Sequence, residues 1–363
     1  MPRTKKLFPH TPDWVSLPGD TLLEIIEYKG ITQKELAERT GVTPKHINQI
    51  VKGIAPIMPD MAIRLERVTG TSAKFWNTLE ANFQIRKAQV KAKKKLLENR
   101  EILKIPAVLE LIKRGEVPFY EDESDQIEAV LGFYGVGSVK KLKERWKIPQ
   151  QVALRHSTKF KSDPIALATW IRLGEKKAES MQCQPFDKSR FRAVLEEIRK
   201  LTTQSPKEFT EKMQQLCASA GVALVFVKEF EGATVYGATK WLTPKKAIIL
   251  LNLRGKKNDQ FWFSFFHEAA HVLFDGTQAL FINAGQDGNE KNEHEKKADQ
   301  FACEILIPSK NNAVLKNLKS HQDVTDFARK IGIAPGIVVG RLQRDGIVPY
   351  SYLNKLKATY SWC

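Results

Sequence analysis

Two histidines and a glutamate interrupt the most apolar stretch of the chain, FWFSFFHEAAHVLF at residues 261–274. His267, Glu268 and His271 fit H-E-x-x-H, which on a helix sets the two imidazoles one turn apart on one face. Two ring nitrogens so placed supply two corners of a roughly tetrahedral Zn2+ site, at about 2.0–2.1 Å from the metal. Glu268 then stands beside the metal as a carboxylate able to take a proton from water. The bland alternative is three helix residues satisfied by their neighbours. With seven histidines in 363 residues, a chance match should arise in on the order of one such sequence in a hundred.

A catalytic zinc site needs a third protein donor and an open fourth position. Downstream, NEKNEHEKKADQFACEILIP reads in its second half as a helix that buries Ala298, Phe301, Ala302, Ile305 and Leu306. Glu295 and Asp299 lie one turn apart on it, so one carboxylate can bind zinc while the other accepts a hydrogen bond from a ligand histidine's second nitrogen. Glu293 and His294 are rivals close by. Ahead of the H-E-x-x-H helix, GVALVFV, ATVYGAT and KAIILLNL read as three short strands with turns at EFEG and TPKK. The strand Ala247–Leu253 is the candidate edge for pairing with an extended substrate, and a buried central place is its alternative.

These residues carry a resemblance. H-E-x-x-H followed by EKKADQFACEILIP is similar to the ImmA/IrrE family of zinc metallopeptidases, whose second motif has the form E-x-x-A-[ND]-x-F-A and ends in L-x-P. The similarity covers roughly residues 215–310, with Ile307 before Pro308 where methionine is common, and a gap containing NAGQDGNEKNEHE. It implies His267, His271 and Glu295 as zinc ligands, Glu268 as general base and Asp299 as the residue that orients a ligand. It also implies a repressor or antitoxin protein as the substrate. No group is assigned to the developing oxyanion.

Near the N-terminus, Leu22, Leu23, Ile25 and Ile26 make an apolar helix face that ends at Gly30, and TQKE offers a capping box with Thr32 as N-cap. TGVT then turns the chain at Gly41, with Thr43 as cap and Pro44 in the first position of the next helix, a helix-turn-helix pattern. That helix turns Ile47, Ile50 and Val51 inward and Lys45, His46, Asn48, Gln49 and Lys52 outward, where amides and cations suit base edges and phosphates. The stretch from about 15 to 85 resembles the XRE, phage-repressor-like DNA-binding family, particularly HigA-type antitoxins. By that resemblance Gln33 touches the DNA backbone and Lys45, His46 and Gln49 reach bases; Thr43, Asn48 and Lys52 complete the candidate DNA-binding set. Phe75, Trp76, Leu79 and Phe83 are core or dimer contacts, and a homodimer on a palindromic operator is implied.

The expected organisation is mainly α (α+β overall): a helix-turn-helix domain at 15–85, a helical connector at 86–214, and a zincin-like peptidase domain with a small β-sheet at 215–348. The lysine-rich run 84–104 reads as a solvated helix or, alternatively, a stripe that contacts phosphates. Lysine plus arginine number 58 against 41 acidic residues, a net charge of +17 that favours polyanionic partners. Four scattered cysteines suit a reducing compartment, and MPRTKKLFPH has no apolar signal core, so a cytoplasmic protein with no membrane partner is expected. One internal echo stands out: ELAERTGVTPKHINQIV at residue 35 aligns without gaps on DFARKIGIAPGIVVGRL at residue 326. Its would-be reading face is Gly336, Ile337, Val339 and Gly340, which cannot pair with base edges, so a packing corner is expected there.

Together these readings give double-stranded operator DNA and a repressor or antitoxin substrate as partners, with a toxin as a further one. The competing function is a non-catalytic, HigA-like antitoxin or autorepressor whose metallopeptidase fold senses metal or binds a partner.

Overall fold

Residues 17–156, 162–276, 280–283 and 293–362 are described by a computed structural model. The chain forms two units: one runs to Arg100 and takes in Glu121–Ile127, and the other comprises Glu101–Tyr120 and the chain from Glu128 onward. The N-terminal decapeptide and most of the NAGQDGNEKNEHE gap lie outside the described residues.

The first unit holds α1 (Pro18–Tyr28), α2 (Gln33–Thr40), α3 (Pro44–Val51), α4 (Pro59–Thr69) and α5 (Ala73–Leu97). Leu22, Ile26, Leu36, Ile47, Leu65 and Trp76 form its core. Thr32 Oγ1 accepts from the Glu35 amide at 3.1 Å and Thr43 Oγ1 from the His46 amide at 3.2 Å, so both expected caps form. The capping box itself is not completed. Glu35 turns its carboxylate to Arg39, 2.5 Å away one helical turn on, an ion pair that competes with the backbone amide for the same oxygens. Gly41 closes α2 at φ 69°, a left-handed conformation that costs other residues about 1–2 kcal/mol. Of the expected aromatic contacts, Trp76 and Phe83 are buried while Phe75 is 42% exposed.

The chain continues through α6 (Pro106–Lys113), α7 (Glu123–Tyr134), α8 (Val139–His156), α9 (Pro164–Ser180), α10 (Lys188–Lys200) and α11 (Pro206–Ser219). Strands β1 (Val222–Phe226), β2 (Gly237–Thr243) and β3 (Lys246–Leu251) follow, then α12 (Asn258–Phe274), β4 (Phe281–Asn283), α13 (Glu293–Leu306), α14 (Asn312–Leu315), α15 (His321–Ile331) and α16 (Pro335–Arg344). The architecture is mainly α with one small mixed sheet. Among the described residues no helix is long and apolar enough to cross a membrane.

The sheet order is β1-β3-β2-β4, with β1 parallel to β3 and β2 antiparallel to both β3 and β4. The expectation that Ala247–Leu253 forms an edge is therefore overturned: β3 lies between β1 and β2. Its run of Ala247, Ile248, Ile249, Leu250 and Leu251 is buried throughout, the pattern of a strand covered on both faces. Leu224, Ile249 and Leu251 share a core with Phe261 and Phe265 of α12. On the opposite face, a Cβ on Gly174 of α9 would come within 2.3 Å of the Leu250 side chain, so this glycine permits the close approach. The strand beside β2 at the edge is β4, which was not anticipated, because three residues are too few to show a period.

The echo at residues 326–342 is α15, a turn at Gly332 with φ 69°, and α16. Gly336, Ile337 and Val339 are buried. A Cβ on Gly336 would stand 2.3 Å from Asn258 Oδ1, and one on Gly340 would stand 2.6 Å from Asp259 Oδ2, so α16 packs closely on the start of α12.

Candidate metal centre

α12 is apolar around most of its circumference, which requires cover on every side. Phe261, Trp262, Phe265, Phe266, Val272 and Leu273 meet that cover, and the ionisable residues are enclosed with them: His267 is 2% exposed, His271 1% and Glu268 0%. Burying such groups is costly unless they are paired or bind a cation.

The two imidazoles present their Nε2 atoms to one another at 3.2 Å. Glu295, from the first turn of α13, brings Oε2 to 3.1 Å from His267 Nε2 and Oε1 to 3.5 Å from His271 Nε2. One donor atom from each of the three residues lies within 4.8 Å of the other two. The outer nitrogens are held by carboxylates: His267 Nδ1 is 2.9 Å from Asp299 Oδ1, and His271 Nδ1 is 2.7 Å from Asp275 Oδ2. An Nδ1–H donating to a carboxylate leaves Nε2 with its lone pair inward, the tautomer a metal requires. Of the rival donors, Glu293 is exposed, while His294 is 57% exposed and turns to Asp275 through Nδ1.

Glu268 sits behind the pair. Thr239 Oγ1 donates to its Oε2 at 2.6 Å, and Oε1 has no hydrogen-bond partner among the described residues. A Cβ on Gly237 would lie 2.8 Å from that Oε1, so the absent side chain at Gly237 makes room for the carboxylate. In the β2–β4 register Thr239 faces Phe281, whose ring stacks on His271 at 4.2 Å and 10°. The edge pair thus braces both the glutamate and a histidine. Asp299 is further approached by Arg344 of α16 at 3.5 Å, and that guanidinium also reaches Cys303 Sγ at 3.0 Å and lies over the Phe263 ring. A cleft of about 260 Å³ opens beside Asp299, lined by Tyr236, Phe263, Cys303, Ile337 and Arg344 among others.

Sequence reading missed Thr239, Asp275, Phe281 and Arg344. Asp275 carried a usable signal, four residues after His271 at the C-cap of the same helix. The other three depend on strand register and helix packing, which no local spacing encodes.

Burial opposes protonation of His267, but the carboxylates of Asp299, Glu295 and Glu268 outweigh it and raise the imidazole to about 9. Burial raises Glu268 too, against the opposing pull of His267, His271 and the Thr239 hydroxyl. A cluster that holds a proton this firmly has the electrostatics of a cation site. Two Nε2 donors, neutral once a cation takes the place of that proton, and a carboxylate fit a zinc-type ion.

The candidate DNA-contacting residues lie at the start of α2, on α3 and at the two ends of α3. Thr43, Lys45, Asn48 and Lys52 are exposed, and Gln33, His46 and Gln49 are half-buried, while Ile47 and Ile50 enter the core. Thr43 spends its hydroxyl on capping α3.

Comparison with known proteins matches residues 22–76 to the helix-turn-helix family and residues 217–343 to the IrrE N-terminal-like domain. The HTH-type transcriptional regulator YddM of Escherichia coli is 28% identical over 72 residues, covering 20% of this chain and 77% of YddM. Among solved structures, the Pseudomonas aeruginosa antitoxin HigA with the higBA promoter is 32% identical, covering 23% of this chain and 90% of that one, with a TM-score of 0.22. An antidote protein of the HigA family from Coxiella burnetii is 27% identical, covering 23% of this chain and 91% of that one, with a TM-score of 0.21. The chain therefore joins a helix-turn-helix domain of the DNA-binding regulator kind to a peptidase-like domain of the IrrE N-terminal-like family.

Proposed function

We propose that this protein is a DNA-binding regulator with an attached zinc-dependent endopeptidase, and that its substrate is a repressor or antitoxin protein. The observation that carries the enzymatic half is Glu268. A sealed carboxylate with one oxygen unbonded, one residue from a converging His267–His271–Glu295 set, is more than metal retention needs.

When bound, Zn2+ would supply Lewis acidity to a peptide carbonyl and to water. Glu268 removes the proton from the attacking water and later delivers it to the leaving amine. Its raised proton affinity suits this return step. Thr239 fixes Oε2 and leaves Oε1 to exchange the proton. Asp299 and Asp275 hold the two imidazoles in the receptive tautomer. The short β4 edge beside β2 offers backbone groups for an extended segment of substrate.

On the DNA side, Lys45, Asn48 and Gln49 of α3 supply cations and amides to a major groove, with Gln33 at the backbone. A repressor or antitoxin is the favoured substrate because this chain carries a helix-turn-helix domain of the class such regulators use. A homodimer and a toxin partner belong to the same reading.

The competing reading is a non-catalytic regulator whose peptidase-like fold senses metal. It draws support from the full burial of Glu268 and its bond to Thr239, which a purely structural glutamate would also have. The two readings part at Glu268→Gln. In the enzyme this variant keeps its zinc complement and DNA affinity but loses about 10²–10⁴-fold in cleavage. Partner repressor or antitoxin levels after induction of wild type, Glu268→Gln and His267→Ala are the readout. Equal levels in all three would reject proteolysis.

A further inference from the structure

The second half of α5 makes few of the contacts that normally hold a helix. Within Ala73–Leu97 the buried residues are Trp76, Glu80 and Phe83, and from residue 84 onward none is buried. A solvated helical segment of this length is marginal on propensity alone. Its composition adds to the problem. QIRKAQVKAKKKLL, residues 84–97, holds six cations and no carboxylate. Lys87, Lys91 and Lys95 succeed one another at i, i+4, where like charges repel, and Lys94 flanks the same face. Lys93 pairs with Asp125. Lys87, Lys91, Lys94 and Lys95 are all exposed.

The stripe begins near the C-terminal end of α3 in the same unit. Lys87 Nζ lies 5.4 Å from the centroid of the Phe83 ring. That ring comes within 3.5 Å of where a Cβ on Gly53 would stand, and Gly53 follows Lys52, the C-cap of α3. From Lys87 to Lys95 the helix rises about 12 Å. Over that distance duplex DNA presents roughly seven phosphate charges.

We propose that the Lys87–Lys91–Lys94–Lys95 face of α5 is a second contact surface for double-stranded DNA, one that binds phosphates and extends the footprint of α3 without reading sequence. This rests on the DNA-binding reading of the first unit. Charge complementarity selects the occupant: a polyanion relieves the repulsion between lysines and stabilises the helix that carries them, whereas a second copy of this stripe would add to it.

The test uses the full chain and a labelled mixed-sequence duplex, with binding followed by fluorescence anisotropy across a salt series. Each lysine–phosphate contact contributes about 0.9 to the slope of log affinity against log salt. Replacing Lys87, Lys91 and Lys94 together by glutamine is expected to lower that slope by about 2–3, and arginine at the same positions is expected to keep it. A triple in the second unit, Lys316→Gln with Lys319→Gln and Lys330→Gln, controls for net charge and is expected to change the slope by less. If the glutamine triple fails to fold, Lys91→Gln alone is expected to lower the slope by about 1. An unchanged slope in folded glutamine variants, or an equal fall in the second-unit control, would overturn the proposal. A wild type that binds no duplex at any salt would overturn the DNA reading beneath it as well.

Discussion

The chain contains the same backbone corner twice and gives it opposite surroundings. Gly41 turns at φ 69° and ψ 35°, Gly332 at φ 69° and ψ 44°, and each is followed by a proline at the first position of the next helix. In the first corner the positions after that proline are Lys45, His46, Asn48 and Gln49, exposed or half-buried. In the second they are Gly336, Ile337, Val339 and Gly340, held against α12. A helix-turn-helix is therefore only a way to set two helices at an angle. Side chains at four positions decide whether the second helix meets solvent and its ligands or the protein's own interior.

The sharpest way to break this comparison is to exchange the faces. Gly336→Lys with Gly340→Gln places the first corner's residues in the second, where the new Cβ atoms would fall 2.3 Å from Asn258 Oδ1 and 2.6 Å from Asp259 Oδ2. Overpacking together with an uncompensated charge is expected to cost about 3–5 kcal/mol. Because α16 leans on the helix that carries His267 and His271, zinc retention should fall as well. The reverse change, Lys45→Gly, meets no neighbour and should cost about 1 kcal/mol, from helix propensity alone. Thermal unfolding and metal analysis check both. A double glycine variant as stable as wild type would show that α16 does not need those glycines to pack.

How far each corner was legible follows from the range of the forces involved. Gly41, Thr43 and the apolar spacing of α3 act within a few residues, so they can be read from sequence, as can the H-E-x-x-H pair and the Glu295–Asp299 spacing on α13. The apolar and glycine face of α16 signalled burial, but not that Asn258 and Asp259 would be its partners. The same limit hid the support around Glu268. Thr239 reaches it across 29 residues of chain, and Phe281 reaches His271 through the pairing of β4 with β2. β3 is a different case: the alternation of a half-exposed strand is missing from AIILL, and that unbroken apolar run already carried the central strand's signature, which the edge expectation overlooked.

A smaller effect is expected from the exposed face of the first corner. Gln49→Ala should weaken specific operator binding by about 1–3 kcal/mol, the worth of a bidentate amide–base contact, and leave thermal stability nearly unchanged. Competition between operator and mixed-sequence duplex separates this loss from phosphate binding. Operator affinity equal to wild type would remove Gln49 from the reading face and leave α3 as exposed as, but no more selective than, any solvated helix.

The smallest expected effect concerns the caps, and it tests whether the two corners share one frame. Thr43 sits at φ −77° and ψ 148° and its hydroxyl accepts from the His46 amide; Ala334 sits at φ −67° and ψ 137° with no side chain to offer. Thr43→Ala should cost about 1 kcal/mol, the usual worth of an N-cap hydroxyl. If the frames are equivalent, Ala334→Ser places an acceptor over the Ile337 amide and should stabilise the second corner. The gain should fall short of the loss in the first corner, because Ala334 is 7% exposed and the new hydroxyl must leave water to form its bond. Denaturant midpoints at unchanged m-value measure both. A destabilised Ala334→Ser would mean that packing against the rest of the unit, and not the local helix start, fixes the second corner, so that the likeness between the two ends at the backbone.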